Sequence, residues 1–355
     1  MRLMWRLSLV VALCAGILAS LLSCAKKSTK PEEKKGLRLY TGGCPPIGLY
    51  AIDLETREVV DSLREGGGSP KVISRDGRLL FGNTGYATIK FATHPLHEVA
   101  RLAGGGGLNF IEDGTILLRS RTASTGPSAP VTGALEFIDP VSLKVTRVDS
   151  IPAYSVGSAD TVGFVIFKDP QDRVVAYDFR NQRVLDADSI YIPDGEHAIP
   201  FHLALHPAGT QGYGLFGDSY YRAWFIVFKT PSLELEEFYQ LAHPFGDVAV
   251  SPDGGYVLFD DPGDTWHGYP GAGFFVYDVQ TRTVRKITIP VPRAAATPGD
   301  IVFSPDGSRA DVSCGSATDV TIPVMVFDMA KLEFVDSVEV SCVWTPTTIA
   351  VGPEP

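Results

Sequence analysis

The sequence predicts an all-β protein, and three observations carry that reading. The 36 glycines and 26 prolines fall mostly between apolar runs of four to seven residues, the punctuation of short strands and tight turns. No long run with a 3.6-residue period follows the N-terminus, so there is no amphipathic stripe on which helices could pack. Finally, one unit returns along the chain. Its clearest copy is Gly246-Asp-Val-Ala-Val-Ser-Pro-Asp-Gly-Gly-Tyr-Val-Leu-Phe-Asp260, followed by Gly273-Phe-Phe-Val-Tyr-Asp-Val-Gln-Thr-Arg-Thr-Val-Arg285. It reads as strand, tight turn, strand, loop, strand, tight turn, strand.

The first 36 residues stand apart from this pattern. Arg2 and Arg6 precede an apolar stretch from Leu7 to Leu22, which ends in Leu21-Leu-Ser-Cys24. A basic start, an apolar segment and a small residue before a cysteine resemble a bacterial lipoprotein signal with its lipobox. The resemblance implies cleavage before Cys24 and a lipid on its sulfur. Sixteen apolar residues are short for a comfortable membrane span, and an uncleaved anchor is the alternative. Lys26-Lys-Ser-Thr-Lys-Pro-Glu-Glu-Lys-Lys35 has no apolar face and reads as a flexible tether. The expected organisation is a signal over 1–23, a lipidated Cys24 with its tether over 24–36, and one folded body over 37–355. Ala25 rather than Asp follows the cysteine, so in a cell with two membranes the resemblance to sorted bacterial lipoproteins implies the outer one, facing the periplasm or the cell surface.

Charge narrows the partners. Residues 1–35 carry seven Lys or Arg against two Asp or Glu, so the remaining chain holds 24 basic and 39 acidic residues, a net of about −15. Nucleic acid wants a basic stripe, so it is excluded as a partner. The expected contacts are the membrane, through the anchor, and an envelope protein, peptide or glycan. The body is expected to be a monomer, and no motif requires a cofactor.

Two turn registers establish the repeat. The turn before the last strand of each unit falls at Ile52–Val59, Ala92–Val99, Ile138–Val145, Tyr177–Val184, Phe228–Leu235, Tyr277–Val284 and Phe327–Phe334, in steps of 40, 46, 39, 51, 49 and 50 residues. An earlier turn recurs at Ser74-Arg-Asp-Gly77, Ile111-Glu-Asp-Gly114, His206-Pro-Ala-Gly209, Ser251-Pro-Asp-Gly254 and Ser304-Pro-Asp-Gly307. The fourth unit lacks a clear copy of it. Seven units of 40–50 residues match a seven-bladed β-propeller with four antiparallel strands per blade. The first unit lacks its first strand and the chain ends on a strand without a successor, Thr347–Pro355, so the C-terminal strand is expected to complete the first blade and hide two edges.

Asp247-Val-Ala-Val-Ser-Pro-Asp-Gly254, Asp300-Ile-Val-Phe-Ser-Pro-Asp-Gly307, Phe201–Gly209 and the Asp-x-x-Thr-x-x-Val turns resemble the seven-bladed propellers with YVTN-type β-repeats, the group of YncE-like and lactonase-type proteins. That resemblance covers residues 37–355 and implies a shape that serves many functions.

Strand parity places both sets of short turns on one face, the bottom, and the longer irregular loops and the crossovers between blades on the other, the top. Pro70, Gly107, His202, Asp247, Asp300 and Thr348 align at the top of the innermost strands. His202, Asp247 and Asp300 thus come from three consecutive blades. A His with two carboxylates can bind a cation or act as an acid and base pair, or can simply bond to neighbouring crossover backbone. The loop Asp260-Asp-Pro-Gly-Asp-Thr-Trp-His-Gly-Tyr-Pro270 adds Asp261, Asp264, Trp266 and Tyr269 as candidate binding residues, although its spacing is not that of an EF-hand. Tyr220, Tyr221 and Trp344 map to the same face. No catalytic motif is present: Gly-x-Ser-x-Gly and the Walker loop are missing, and His97-Glu-Val-Ala-Arg101 fails as a zinc helix. The reading is therefore a non-catalytic binding or scaffolding propeller, with a lactonase-type hydrolase using His202, Asp247 and Asp300 as the alternative. Of the cysteines outside the signal and lipid site, Cys44 and Cys342 both map to the top face where the ring closes and are expected to form a disulfide, with Cys314, placed in a top loop, as the competing partner.

Lipidation at Cys24 makes a direct prediction. The wild-type chain is expected to partition into a detergent phase and Cys24→Ala into the aqueous phase; equal partitioning would refute the anchor.

Overall fold

The computed structural model describes residues 36–42, 48–63, 69–84, 86–123, 132–159, 162–191, 197–217, 222–241, 246–261, 273–290, 297–315, 321–341 and 348–355. They form seven four-stranded antiparallel sheets. Blade 1 contains β1 (Leu37–Gly42), β2 (Leu49–Asp53) and β3 (Val59–Leu63). Blade 2 is β4 (Ser69–Ile73), β5 (Leu79–Thr84), β6 (Ala87–Thr93) and β7 (Leu96–Ala103). Blade 3 is β8 (Gly107–Ile111), β9 (Ile116–Ala123), β10 (Thr132–Asp139) and β11 (Lys144–Asp149). Blade 4 is β12 (Tyr154–Gly157), β13 (Phe164–Lys168), β14 (Val174–Asp178) and β15 (Arg183–Asp188). Blade 5 is β16 (Ile199–Leu205), β17 (Gln211–Gly217), β18 (Ala223–Lys229) and β19 (Leu235–Leu241). Blade 6 is β20 (Val248–Val250), β21 (Tyr256–Asp261), β22 (Gly273–Asp278) and β23 (Thr283–Ile287). Blade 7 is β24 (Thr297–Phe303), β25 (Arg309–Gly315), β26 (Thr321–Asp328) and β27 (Glu333–Ser341), and β28 (Thr348–Pro353) returns to blade 1.

As expected, β28 pairs with β1, through six residue pairs from Leu37↔Pro353 to Gly42↔Thr348. The innermost strands β28, β4, β8, β12, β16, β20 and β24 touch in succession, and β24 touches β28 again. The sheets therefore close into a seven-bladed ring. Beyond the sheet itself, the Glu354 amide donates to the Gly36 carbonyl at 2.7 Å, and Arg38 Nη2 lies 2.7 Å from Glu354 Oε1.

The core is divided among the seams. Among the described residues, seven apolar clusters occupy the seven interfaces between adjacent blades. A middle strand is packed on both faces, which is why Ala223-Trp-Phe-Ile-Val-Phe228 is continuously apolar and buried. An outer strand is packed on one face only, and β7 alternates accordingly along Leu96–Ala103. Between blades 5 and 6, Phe225 and Phe259 stack with centroids 4.1 Å apart. Between blades 2 and 3, the buried Arg119 donates to Glu136 at 2.7 Å and to Thr88 Oγ1 at 2.9 Å. An arginine without these partners could not occupy that seam.

The bottom turns are built by side chains that satisfy their own backbone. Ser251 Oγ accepts the Tyr256 amide at 2.9 Å and donates to Asp253 Oδ1 at 2.6 Å. The same arrangement recurs at Ser74 and Asp76 and at Ser304 and Asp306. The glycine that follows takes φ 75°, 76° and 67° at Gly254, Gly77 and Gly307. In blade 4, which showed no clear copy in the sequence, the Val162 amide donates to the Ala159 carbonyl between β12 and β13. In the second set of turns, Asp53, Asp139, Asp178 and Asp328 each accept two amides two and three residues ahead, an Asx turn. The Thr56 and Ser142 amides hold the Asp53 and Asp139 carboxyls below the usual range.

Each of these turns except that of blade 2 ends on a left-handed residue that is not glycine: Arg57, Leu143, Gln182, Leu233, Arg282 and Leu332, with φ between 53° and 63°. What the side chain does there decides the effect of replacing it. Gln182 is exposed, and Gln182→Gly is expected to stabilise the protein by roughly 0.5 kcal/mol, the left-handed cost relieved less the glycine entropy. Leu143 is 5% exposed and packs between blades 2 and 3, so Leu143→Gly is expected to cost about 2–4 kcal/mol. Chemical denaturation of both variants checks the opposite signs.

Candidate functional site

The top ends of the innermost strands bring a small polar group together. His202 of blade 5 places Nδ1 3.6 Å from Oδ1 of Asp247 in blade 6. Asp300 of blade 7 has its Oδ2 3.7 Å from Nζ of Lys71 in blade 2. Both ion-pair distances exceed an ordinary hydrogen bond, and all four side chains are partly open, His202 most at 47%.

The carboxylates are also structural staples. Asp247 Oδ2 accepts the Ile301 amide of blade 7 at 2.9 Å, and Asp300 Oδ2 accepts the Ile349 amide of β28 at 3.3 Å. Ser155 plays the same part in blade 4, its Oγ accepting the Leu203 amide of blade 5 at 3.1 Å. Each staple joins one innermost strand to the next. The backbone partners are thus the neighbouring innermost strands, where the sequence suggested the crossovers.

Bulges aim these side chains. The pairing slips between Pro70 and Val72, between Tyr154 and Val156, between Pro200 and His202, and between Pro298 and Ile301. The extra residue in the first three is Lys71, Ser155 and Phe201. A bulge turns a side chain that strand alternation would send elsewhere. Lys71 and Ser155 were therefore not found by aligning the strands on their turns, since that alignment assumes strict alternation. Lys71 sits one residue after the aligned Pro70, and no signal in the sequence reveals the slip.

Electrostatics differ within the group. Asp300 keeps 32% of its side chain open, yet the protein around it disfavours its charged form and pushes its carboxyl above the usual range; Lys71 opposes this and Asp247 adds to it. Among the described residues, no three His, Cys, Asp or Glu side chains gather closely enough to hold a metal ion.

Most of the loop after β21 lies outside the described residues. Asp260 is fully buried, and its Oδ1 accepts the Asp247 amide, so this carboxylate braces the innermost strand. Asp261 pairs with Gly273 in the sheet, and its side chain, together with Asp264, Trp266 and Tyr269, lies outside the described residues, as do Tyr220, Tyr221 and Trp344. Cys24, Cys44 and Cys342 also lie outside them. Cys314 is not in a loop. It is a free thiol inside β25, fully buried between blades 6 and 7, and burial, with the Asp260 charge, pushes it up to about 12.

No family profile matches the chain, and no curated protein matches it in sequence. Solved structures do. A 6-phosphogluconolactonase candidate from Bacteroides uniformis matches with TM-score 0.62 at 15% identity, over 90% of this chain and 100% of that one. Its counterpart from Bacteroides fragilis gives 0.61 at 15%, over 92% and 99%. Apo AztD from Citrobacter koseri gives 0.59 at 13%, over 89% and 98%. What they share with this chain is the seven-bladed propeller. At these identities the likeness establishes the fold and transfers no active site.

Staples and open groups should separate on mutation. Asp247→Ala leaves the amide of the buried Ile301 without its acceptor and is expected to cost about 1–3 kcal/mol. His202→Ala removes a half-open ring and is expected to change stability by less than about 0.5 kcal/mol. Thermal unfolding of the two variants is the check.

Proposed function

We propose that the protein is an envelope lipoprotein, anchored through Cys24, whose propeller is a non-catalytic binding or scaffolding module for a protein, peptide or glycan taken up on the top face. The observation that carries the reading is the group at the channel mouth. Lys71 and His202 are held only loosely by carboxylates that the backbone has already fixed, so both stay available to a polar ligand. A rigid ring loses little freedom on binding, and aromatic anchors beside such a group, Trp266 and Tyr269 in this proposal, would dominate affinity. The bottom face offers short turns whose polar groups are largely consumed by their own backbone, which argues for the opposite side.

A second reading rests on the pairing of His202 with Asp247. A carboxylate beside an imidazole orients a general base, and a lactonase-type hydrolase would need one. Two features weigh against it: Asp247 is already occupied as a staple, and no activated nucleophile adjoins His202 among the described contacts.

The choice of face and of chemistry can be tested together. Trp266→Ala with Tyr269→Ala, and separately His202→Ala, are expected to lose pull-down of envelope proteins or glycans. Arg75→Ala with Arg78→Ala, on an exposed bottom turn, is expected to retain it. Loss with the bottom pair alone would overturn the face, and turnover of lactones or esters by the wild type that His202→Ala abolishes would favour the hydrolase.

A further inference from the structure

The seam between blades 7 and 1 contains a carboxylate that the proposed site does not use. Asp311 lies on β25 opposite Val302 and Val326, and antiparallel partners share a face. That face packs on the cluster of Leu39, Ile349 and Val351 from blade 1 with Val324 and Val338 from blade 7. Asp311 is fully buried, and neither of its oxygens has a well-formed hydrogen bond. Its counter-charge is Arg309 on the same strand, with Nε 3.4 Å from Oδ2. Arg309 Nε and Nη2 are buried and equally short of partners. A bidentate pair would satisfy both groups; this one satisfies neither.

The charges around it are few. From β24 the titratable residue is Asp300, at the top end of the seam, where its carbonyl accepts Ser313 Oγ at 3.5 Å. Strand β26 presents Val324, Val326 and, opposite Arg309, Asp328, which pairs with Lys331 at 3.7 Å, while β1 and β28 present Leu39, Ile349 and Val351. At the rim Arg57 pairs with Asp336, and at the bottom Arg38 pairs with Glu354, so these charges are occupied with each other.

We propose that Asp311 is a proton-operated latch on the closing seam: with its carboxyl neutral the interface of blades 7 and 1 is tight, and with it ionised the seam and strand β28 open more readily. The seam is the one place where this matters most, because blade 1 is held together by two ends of the chain. Burial pushes the Asp311 carboxyl up to about 6, against the pull of Arg309. In an opened seam the same group is solvated and titrates near its ordinary value of about 4. A group raised in the closed form favours closure below the open-state value and loses that advantage as pH rises through the closed-state value. The opening constant is therefore expected to climb between about pH 4 and pH 7, by on the order of a hundredfold.

Hydrogen exchange on the full-length protein in detergent, corrected for intrinsic rates, tests this at pH 4.5 and pH 7.5. The Leu39 and Val351 amides are expected to open about twenty-five times more often at the higher pH, with Val165 and Val175 of blade 4 unchanged. Asp311→Asn should abolish the difference. Exchange that is pH-independent at the seam, or that keeps its pH dependence in Asp311→Asn, would overturn the latch. If Asp311→Asn does not fold, the carbon-13 titration of the Asp311 carboxyl in the wild type decides: a midpoint near 6 that tracks the exchange supports it, and one near 4 refutes it.

Discussion

Six residue pairs between β1 and β28 hold the two ends of the folded chain in one sheet, and every other feature of the ring leans on them. Each blade offers one apolar face to each neighbour, so no blade has a finished core of its own. Opening any seam uncovers apolar side chains on two blades, but six of the seven blades are continuous stretches of chain. Blade 1 alone must be assembled from segments some three hundred residues apart. The loop-closure entropy of that assembly grows only slowly with length, so a four-stranded sheet with two packed faces can offset it. The Glu354 amide on Gly36 and the Arg38 pair with Glu354 extend the closure beyond the last strand pair.

The channel mouth inherits its geometry from this closure. Asp300 reaches the Ile349 amide of β28 and the Lys71 ammonium of blade 2, so its position is defined by groups on both sides of the closing strand. Asp247 is held through its amide by the buried Asp260 of the neighbouring strand β21 and in turn holds the Ile301 amide. The site is thus made of the same hydrogen bonds that pin adjacent innermost strands. Its rigidity is a by-product of the ring, and it is the property that the proposed binding role would require.

The two ends of a blade use polar side chains in different ways. On the bottom, Asp and Ser are spent within four or five residues of chain, closing turns that any copy of the repeat can form alone. At the top of the innermost strands, Asp and Ser reach across to the next blade, 48 to 54 residues along the sequence. Local bonds make the repeat, and distant ones make the ring.

That division also separates what could be read from the residues. The seven units, the strand order within each, the two turn registers and the closure by the C-terminal strand were legible, because turn chemistry and apolar runs depend on neighbours in sequence. Counting back from each turn also places His202, Asp247 and Asp300 near the top of three consecutive innermost strands, but it does not say which of them pair. Lys71 and Ser155 were not legible, since a one-residue bulge leaves no local mark and yet re-aims the side chain. Nor was the place of Cys314 or Asp260, each expected in or beside a loop and found buried, because strands β25 and β21 run further than their turn signals suggest. The sequence by itself determined the repeat and its ring, whose signals are short-range and periodic. Only the tertiary structure decided which polar groups meet across a seam, because that depends on bulges and strand lengths set by packing between blades.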